Sequence, residues 1–172
     1  MSEKPQAPEK DGEPAPAPRT ERVFLVVVDE TEEMRQALRF ACRRAQHTQG
    51  RVALLYVIEP VEFQHWLGVG RVMEEEARAA AEQRLHTLSA EVFAQTGTMP
   101  TLHIREGDRA EQLARLIQED TSISLLVLAT ASGSSNPGPL VTYLIGNLGR
   151  KIRIPVTLVP GELSAEEIDS VS

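Results

Sequence analysis

The chain has 172 residues and a formal net charge of −7, with aromatics at only 4%. That length suffices for one α/β domain with a sizeable core, built mainly from Leu, Val, Ile and Ala. The negative balance argues against broad nucleic-acid binding or adsorption to an anionic membrane, since both need cationic surface.

No apolar run approaches the length of a membrane span, and the start MSEKPQAPEK lacks the apolar core of a signal peptide. A soluble, cytoplasmic protein is therefore expected. Cys42 is the sole cysteine and cannot form an internal disulfide, in keeping with a reducing compartment.

Residues 1–20, MSEKPQAPEKDGEPAPAPRT, hold five prolines, several charges and no aromatic. Such a segment buries too little apolar area to offset its ordering entropy, so a disordered tail is expected. The domain follows over residues 21–161. RVFLVVVD (22–29) is a continuous apolar run, the mark of a strand buried on both faces. Met34, Ala37, Leu38, Ala41, Cys42 and Ala45 then recur at helical spacing, and Gly50 is expected to stop that helix. RVALLYVIE (51–59) is a second buried strand.

The loop VEFQHWLGVG leads to a long helix with the stripe Met73, Ala77, Ala80, Ala81, Leu85, Leu88 and Val92, ended by Gly97. The His65–Trp66 pair in that loop is a candidate cover for a ligand or partner, or a local apolar patch. TLHIRE (101–106) alternates and reads as a half-buried third strand. In GDRAEQLARLIQED, Asp108 is placed to cap a helix and Glu111 to close a capping box. SLLVLAT (124–130) is a fourth strand. PLVTYLIGNLGRKI is a helix with Pro139 at its first position, which puts the basic run 150–153 in its last turn. IPVTLV (154–159) is a fifth strand. The acidic tail 162–172 is expected to hold one weakly held helical turn opened by Ser164 and Glu167.

Strands that alternate with helices demand a parallel sheet, because each right-handed crossover restores the chain direction. The expected fold class is α/β: a doubly wound parallel sheet in a three-layer, Rossmann-like sandwich. Ligands in such folds sit beyond the strand ends where the strand order reverses. Asp29 to Thr31 and the residues from Ala129 onward are the candidates. Asp29 can accept from a ribose or an adenine edge, or cap the next helix. Thr31 is a second cap candidate, with Glu32 and Glu33 in a first turn. Those carboxylates would repel a phosphate held nearby. In the loop after the fourth strand, Gly133, Ser134, Ser135 and Asn136 offer donors to an anion at a helix start, whereas Pro137 and Pro139 have no N–H. No catalytic constellation stands out. His47, His65, His86 and His103 are scattered, without metal-ligand spacing.

The stretch VFLVVVDETEEMRQALRFACRRAQHTQGRVALLYVIEP, then IREGDRAEQLARLIQED, then SLLVLAT and GPLVTYLIGNLGRKIRIPVTLVPG resemble the universal stress protein family over about residues 22–160. The resemblance implies five strands in the order 3-2-1-4-5 and a homodimer through the fifth, Ile154 to Val159, whose edge a twin copy can pair. It also implies a nucleotide site drawn from Val28, Asp29, Thr31 and Val57, and from Ala129, Ser132, Gly133, Asn136, Gly146 and Asn147.

Family members that bind ATP carry an Asp after the first strand and a pattern of Gly, two residues, Gly, nine residues, then Gly-Ser or Gly-Thr. Asp29 meets the first condition. Counting back from Gly146 lays the pattern on Gly133, Asn136 and Gly146–Asn147. Counting forward from the strand end lays it on Ala129 and Ser132, with a loop about four residues longer; loops absorb insertions, so this register is preferred. Either way the pattern is incomplete. The expectation is a non-enzymatic stress-response module, acting as a homodimer through contacts with an unidentified protein partner, with weak or absent ATP binding. An ATP-bound switch is the alternative, and a slow nucleotidase is third.

Overall fold

A computed structural model describes residues 21–60, 69–131, 138–147 and 150–172. The elements run β1 (Val23–Val28), α1 (Met34–Thr48), β2 (Arg51–Ile58), α2 (Val69–Thr96), β3 (Thr101–Glu106), α3 (Arg109–Glu119), β4 (Ile123–Thr130), α4 (Pro139–Asn147), β5 (Val156–Pro160) and α5 (Ala165–Val171). The sheet order is β3-β2-β1-β4-β5, and every neighbouring pair is parallel. This is the expected doubly wound α/β arrangement.

β1 is buried at all six positions. Successive side chains of a strand point to opposite faces, so β1 feeds two cores. Val23, Leu25 and Val27 pack with Leu113 and Ile117 of α3 and Leu144 of α4. Phe24, Val26 and Val28 pack with Leu38 and Cys42 of α1 and Leu85 and Leu88 of α2. Each fully buried Val, Leu or Phe contributes roughly 1.5–3 kcal/mol relative to leaving it in water. Cys42 is a core residue, and burial pushes its thiol up to about 12.

Gly50 follows α1, but the left-handed cap is Gln49, at φ 54°. Gly50 is needed for a different reason: a Cβ there would collide with the Arg22 carbonyl oxygen, which accepts from the Arg51 N–H at 2.8 Å. In α2 only the later part of the expected stripe is buried: Ala81, Leu85, Leu88 and Val92. Met73 and Ala80 are exposed and Ala77 is half-buried. The reason is length. The 28 residues of α2 span about 42 Å, against about 26 Å for the eight-residue β2, so the helix overruns the sheet.

Asp108 accepts from the Glu111 N–H at 2.9 Å, but the Glu111 carboxylate does not return the bond, so only half of that capping box forms. α4 stops at Asn147, whose carbonyl collects the N–H groups of Arg150, Lys151 and Ile152. The basic run 150–153 therefore lies beyond the helix, and Ile152 and Ile154 join the core. Ile154 is not part of the sheet edge, because β5 begins only after Pro155, which has no N–H for the ladder.

The acidic C-terminus is not loose. α5 has the full Ser164–Glu167 capping box, and Ile168 is buried in the α1 face of the core. Asp169 accepts from Nε and Nη2 of both Arg39 and Arg43, at 2.6 to 2.9 Å. The expected N-terminal tail 1–20 and the His65–Trp66 loop lie outside the described residues.

His103 on β3 stands beside Leu55 of β2, and its Nε2 is buried without a partner. Burial lowers its pKa; Asp120 pulls the other way and Arg105 adds to the fall. The unfolded chain thus takes the proton first, so the stability tied to His103 is complete above its ordinary value of 6.5 and is lost as pH falls below it. Denaturant midpoints measured between neutral and mildly acidic pH are expected to drop for the wild type. The drop is expected to be smaller for His103→Gln.

Candidate functional site at the ends of β1, β2 and β4

β1 lies between β2 and β4. The chain leaves β2 toward α2 on one face and leaves β4 toward α4 on the other. The divergence opens a gap above β1, where a doubly wound sheet binds ligands. Asp29 is the first residue beyond the buried strand. Its Oδ1 accepts from the Thr31 N–H at 2.9 Å and from the Thr31 hydroxyl at 2.6 Å. This is an Asx turn. Neither residue caps α1: the cap position is Glu33, whose side chain makes no capping bond. Glu32 and Glu33 precede the first turn and feed it through their carbonyls, which accept from the N–H groups of Arg35 and Gln36.

The gap has two halves. The larger, about 640 Å³, has the ends of β1 and β2 at its base, with Ala77 and Ala80 of α2 along one side. The overrun of α2 thus gives its unburied alanines a wall to form. The smaller, about 210 Å³, runs from Val27, Leu128 and Ala129 to the start of α4 at Gly138–Val141. Asp29, Thr31 and Arg109 border both halves.

Of the sequence-predicted site residues, Val28, Asp29, Thr31 and Val57 meet in the larger half, and Ala129 joins Asp29 and Thr31 in the smaller. The side chains of Val28 and Val57 are core residues, so they bring chiefly their strand ends to the cleft. Ser132, Gly133 and Asn136 lie outside the described residues. Gly146 and Asn147 are not brought to the cleft. They sit at the far end of α4, where Asn147 Nδ2 donates to the Tyr143 carbonyl at 2.8 Å. A Cβ on Gly146 would meet nothing within 4 Å.

The residue that sequence reasoning missed is Arg109. Its Nη2 donates to Glu59 Oε2 at 2.9 Å. The available signal was its place: a cation at the first position of a helix opposes the positive end of the dipole. Among the described lining residues it is the one cation, facing the carboxylates of Asp29, Glu30, Glu33 and Glu59. Among the described residues, no group of three or more His, Cys, Asp or Glu is placed to hold a metal ion.

Gly138 is where the cleft needs a glycine, because its φ is +98°. Its carbonyl accepts from the Thr142 N–H and hydroxyl, which fixes the start of α4. Gly138→Ala is expected to cost about 1–2 kcal/mol through backbone strain. Gly146→Ala, on an exposed helical position, is expected to gain up to about 1 kcal/mol. Denaturant melts of the two variants check the opposite signs.

The family model of the universal stress protein family matches residues 21–160. No curated protein sequence matches the chain significantly. Solved structures with a similar fold include the universal stress protein UspA from Lactobacillus plantarum, at 20% identity and a TM-score of 0.66, covering 83% of this chain and 99% of that one. A universal stress protein solved in complex with cAMP is similar at 17% identity and a TM-score of 0.60, over 83% of this chain and 99% of that one. One from Archaeoglobus fulgidus in complex with dAMP is similar at 15% identity and a TM-score of 0.54, over 81% and 97%. The matched sequence span and the 3-2-1-4-5 sheet agree, and the chain belongs to the universal stress protein family.

Proposed function

We propose that this chain is a non-enzymatic binding module of the stress response. Its cleft takes the nucleoside part of an adenine nucleotide and holds a triphosphate poorly, and its output passes through the protein contacts of a homodimer. One observation carries the reading: among the described residues, the cleft sets four carboxylates, Asp29, Glu30, Glu33 and Glu59, around a single cation, Arg109. Two like charges about 4 Å apart cost about 1 kcal/mol in water and about 4 kcal/mol near a protein surface. Each added phosphate therefore meets a rising penalty. The nucleoside side is better served. Asp29 Oδ1 is engaged by Thr31, which leaves Oδ2 to accept from a ribose hydroxyl. The nucleotides in the cAMP and dAMP complexes carry one phosphate each, which fits the same reading.

The alternative, an ATP-bound switch, is favoured by the place of the cleft and by a glycine, Gly138, at the start of α4 on its border. Pro139 counts against it, because it lines the cleft with no N–H to offer. The homodimer reading rests on β5, which pairs β4 on one side and is the last strand of the sheet. Leu158 is 41% exposed on it, whereas Val159 is 2% exposed and belongs to the core.

Three measurements test the proposal. Protein purified from cells, denatured and clarified, is expected to release no stoichiometric ATP, and millimolar AMP is expected to raise the melting temperature more than ATP with Mg²⁺. A stoichiometric ATP peak overturns weak binding in favour of the switch. Leu158→Asp is expected to convert a dimeric mass to a monomeric one in light scattering. A mass unchanged by that substitution rules out the β5 interface.

A further inference from the structure

We infer that Arg109 binds the phosphate of a nucleoside monophosphate in this cleft, so that α3 contributes to anion recognition. The inference rests on the nucleotide reading above and goes beyond it, by naming the residue and the number of phosphates. Three observations converge on this side chain. It opens α3, where the dipole disfavours a cation by about 0.3–1 kcal/mol, so the helix itself gives no reason for it. It borders both halves of the cleft, at the junction between the nucleoside side and the start of α4. Its hydrogen bonding is also incomplete: Nη2 reaches Glu59, while Nε is buried with no acceptor.

A guanidinium carries five N–H donors in a fixed fork, suited to two-point contact with a phosphate. Glu59 engages Arg109 through one bond only, and the two side chains are 52% and 35% exposed, respectively. Glu59 is thus the partner that can swing into water. An arriving phosphate takes its place, and a small turn of the guanidinium brings Nε and an Nη to two phosphate oxygens. One cation then balances one phosphate. A second or third phosphate has no further cation among the described lining residues and meets Asp29, Glu30 and Glu33 instead. Without ligand, Glu59 keeps Arg109 paired, so the site holds a competing internal anion.

Calorimetric titration of the full chain with adenosine, AMP and ATP with Mg²⁺ tests this, using wild type, Arg109→Gln and Glu59→Gln. In the wild type, AMP is expected to bind about tenfold more tightly than adenosine, equivalent to one charge-assisted contact of about 1.4 kcal/mol. ATP is expected to bind no more tightly than AMP. Arg109→Gln is expected to abolish the preference for AMP while leaving adenosine binding within about twofold, which also shows that the variant is folded. Glu59→Gln is expected to strengthen AMP binding severalfold by removing the competitor. If Arg109→Gln keeps the AMP preference, or weakens adenosine and AMP equally, the role given to Arg109 is wrong while the nucleotide reading stands. If the wild type binds neither adenosine nor AMP, that reading and this inference fall together.

Discussion

The complete burial of β1 is the constraint on which the rest of the structure depends. Its six side chains divide between two cores, three to each face, and none has room for a polar group. An unpartnered polar atom at such a position would cost about 1–3 kcal/mol. Polar chemistry can therefore begin only at Asp29, one residue beyond the strand. β1 also sits between β2 and β4, whose following helices leave to opposite faces. The cleft above Asp29 is thus a consequence of how the core is filled. It does not depend on any residue selected to line it.

The same core explains the helix added after the matched family span. α1 covers one face of β1 and β4 and leaves an outer surface carrying Arg39 and Arg43, one turn apart. α5 lays Ile168 into the edge of that core and sets Asp169 between the two arginines. The paired guanidinium groups hold the Asp169 carboxyl well below the usual carboxylate range. All three charged side chains are about one-third exposed, so water screens the ion pairs and the anchoring falls mainly to Ile168. The acidic segment packs because one apolar residue and one carboxylate fall on adjacent positions of a well-capped short helix.

Much of this architecture was legible in the sequence, and the failures have physical causes. Continuous runs such as VFLVVV announce strands buried on both sides, and their alternation with amphipathic stretches leaves few topologies. The buried stripe of α2 is shorter than its periodicity suggests, because periodicity reports which face is apolar and says nothing of where the sheet ends; Met73 and Ala80 are exposed and Ala77 is half-buried. α4 is also shorter than its sequence pattern, since Leu148 to Ile152 continues an apolar pattern while the carbonyl of Asn147 already closes the turn. Gly50 follows α1 as its position suggests, but close approach to Arg22 leaves the same one-letter trace as a left-handed cap. Within the site, Asp29, Thr31 and Ala129 could be found by position at strand ends. Arg109 could not, because a single cation at a helix start has no period and shows only as a local rule broken.

The departures from the family's glycine pattern and the charges of the cleft point the same way. A triphosphate cradle on α4 needs backbone donors at the start of that helix and small residues that let phosphates approach. Here Pro139 removes a donor, and Gly146 and Asn147 belong to the helix end, away from the cleft. Meanwhile, among the described residues, the side contributed by β1, β2 and α3 carries Asp29, Glu30, Glu59 and the cation Arg109. The fold still supplies the place, since that follows from the order of the strands. What the place accepts is set by a few side chains at strand and helix ends, where the core imposes no requirement and the charge can change without cost to the sheet.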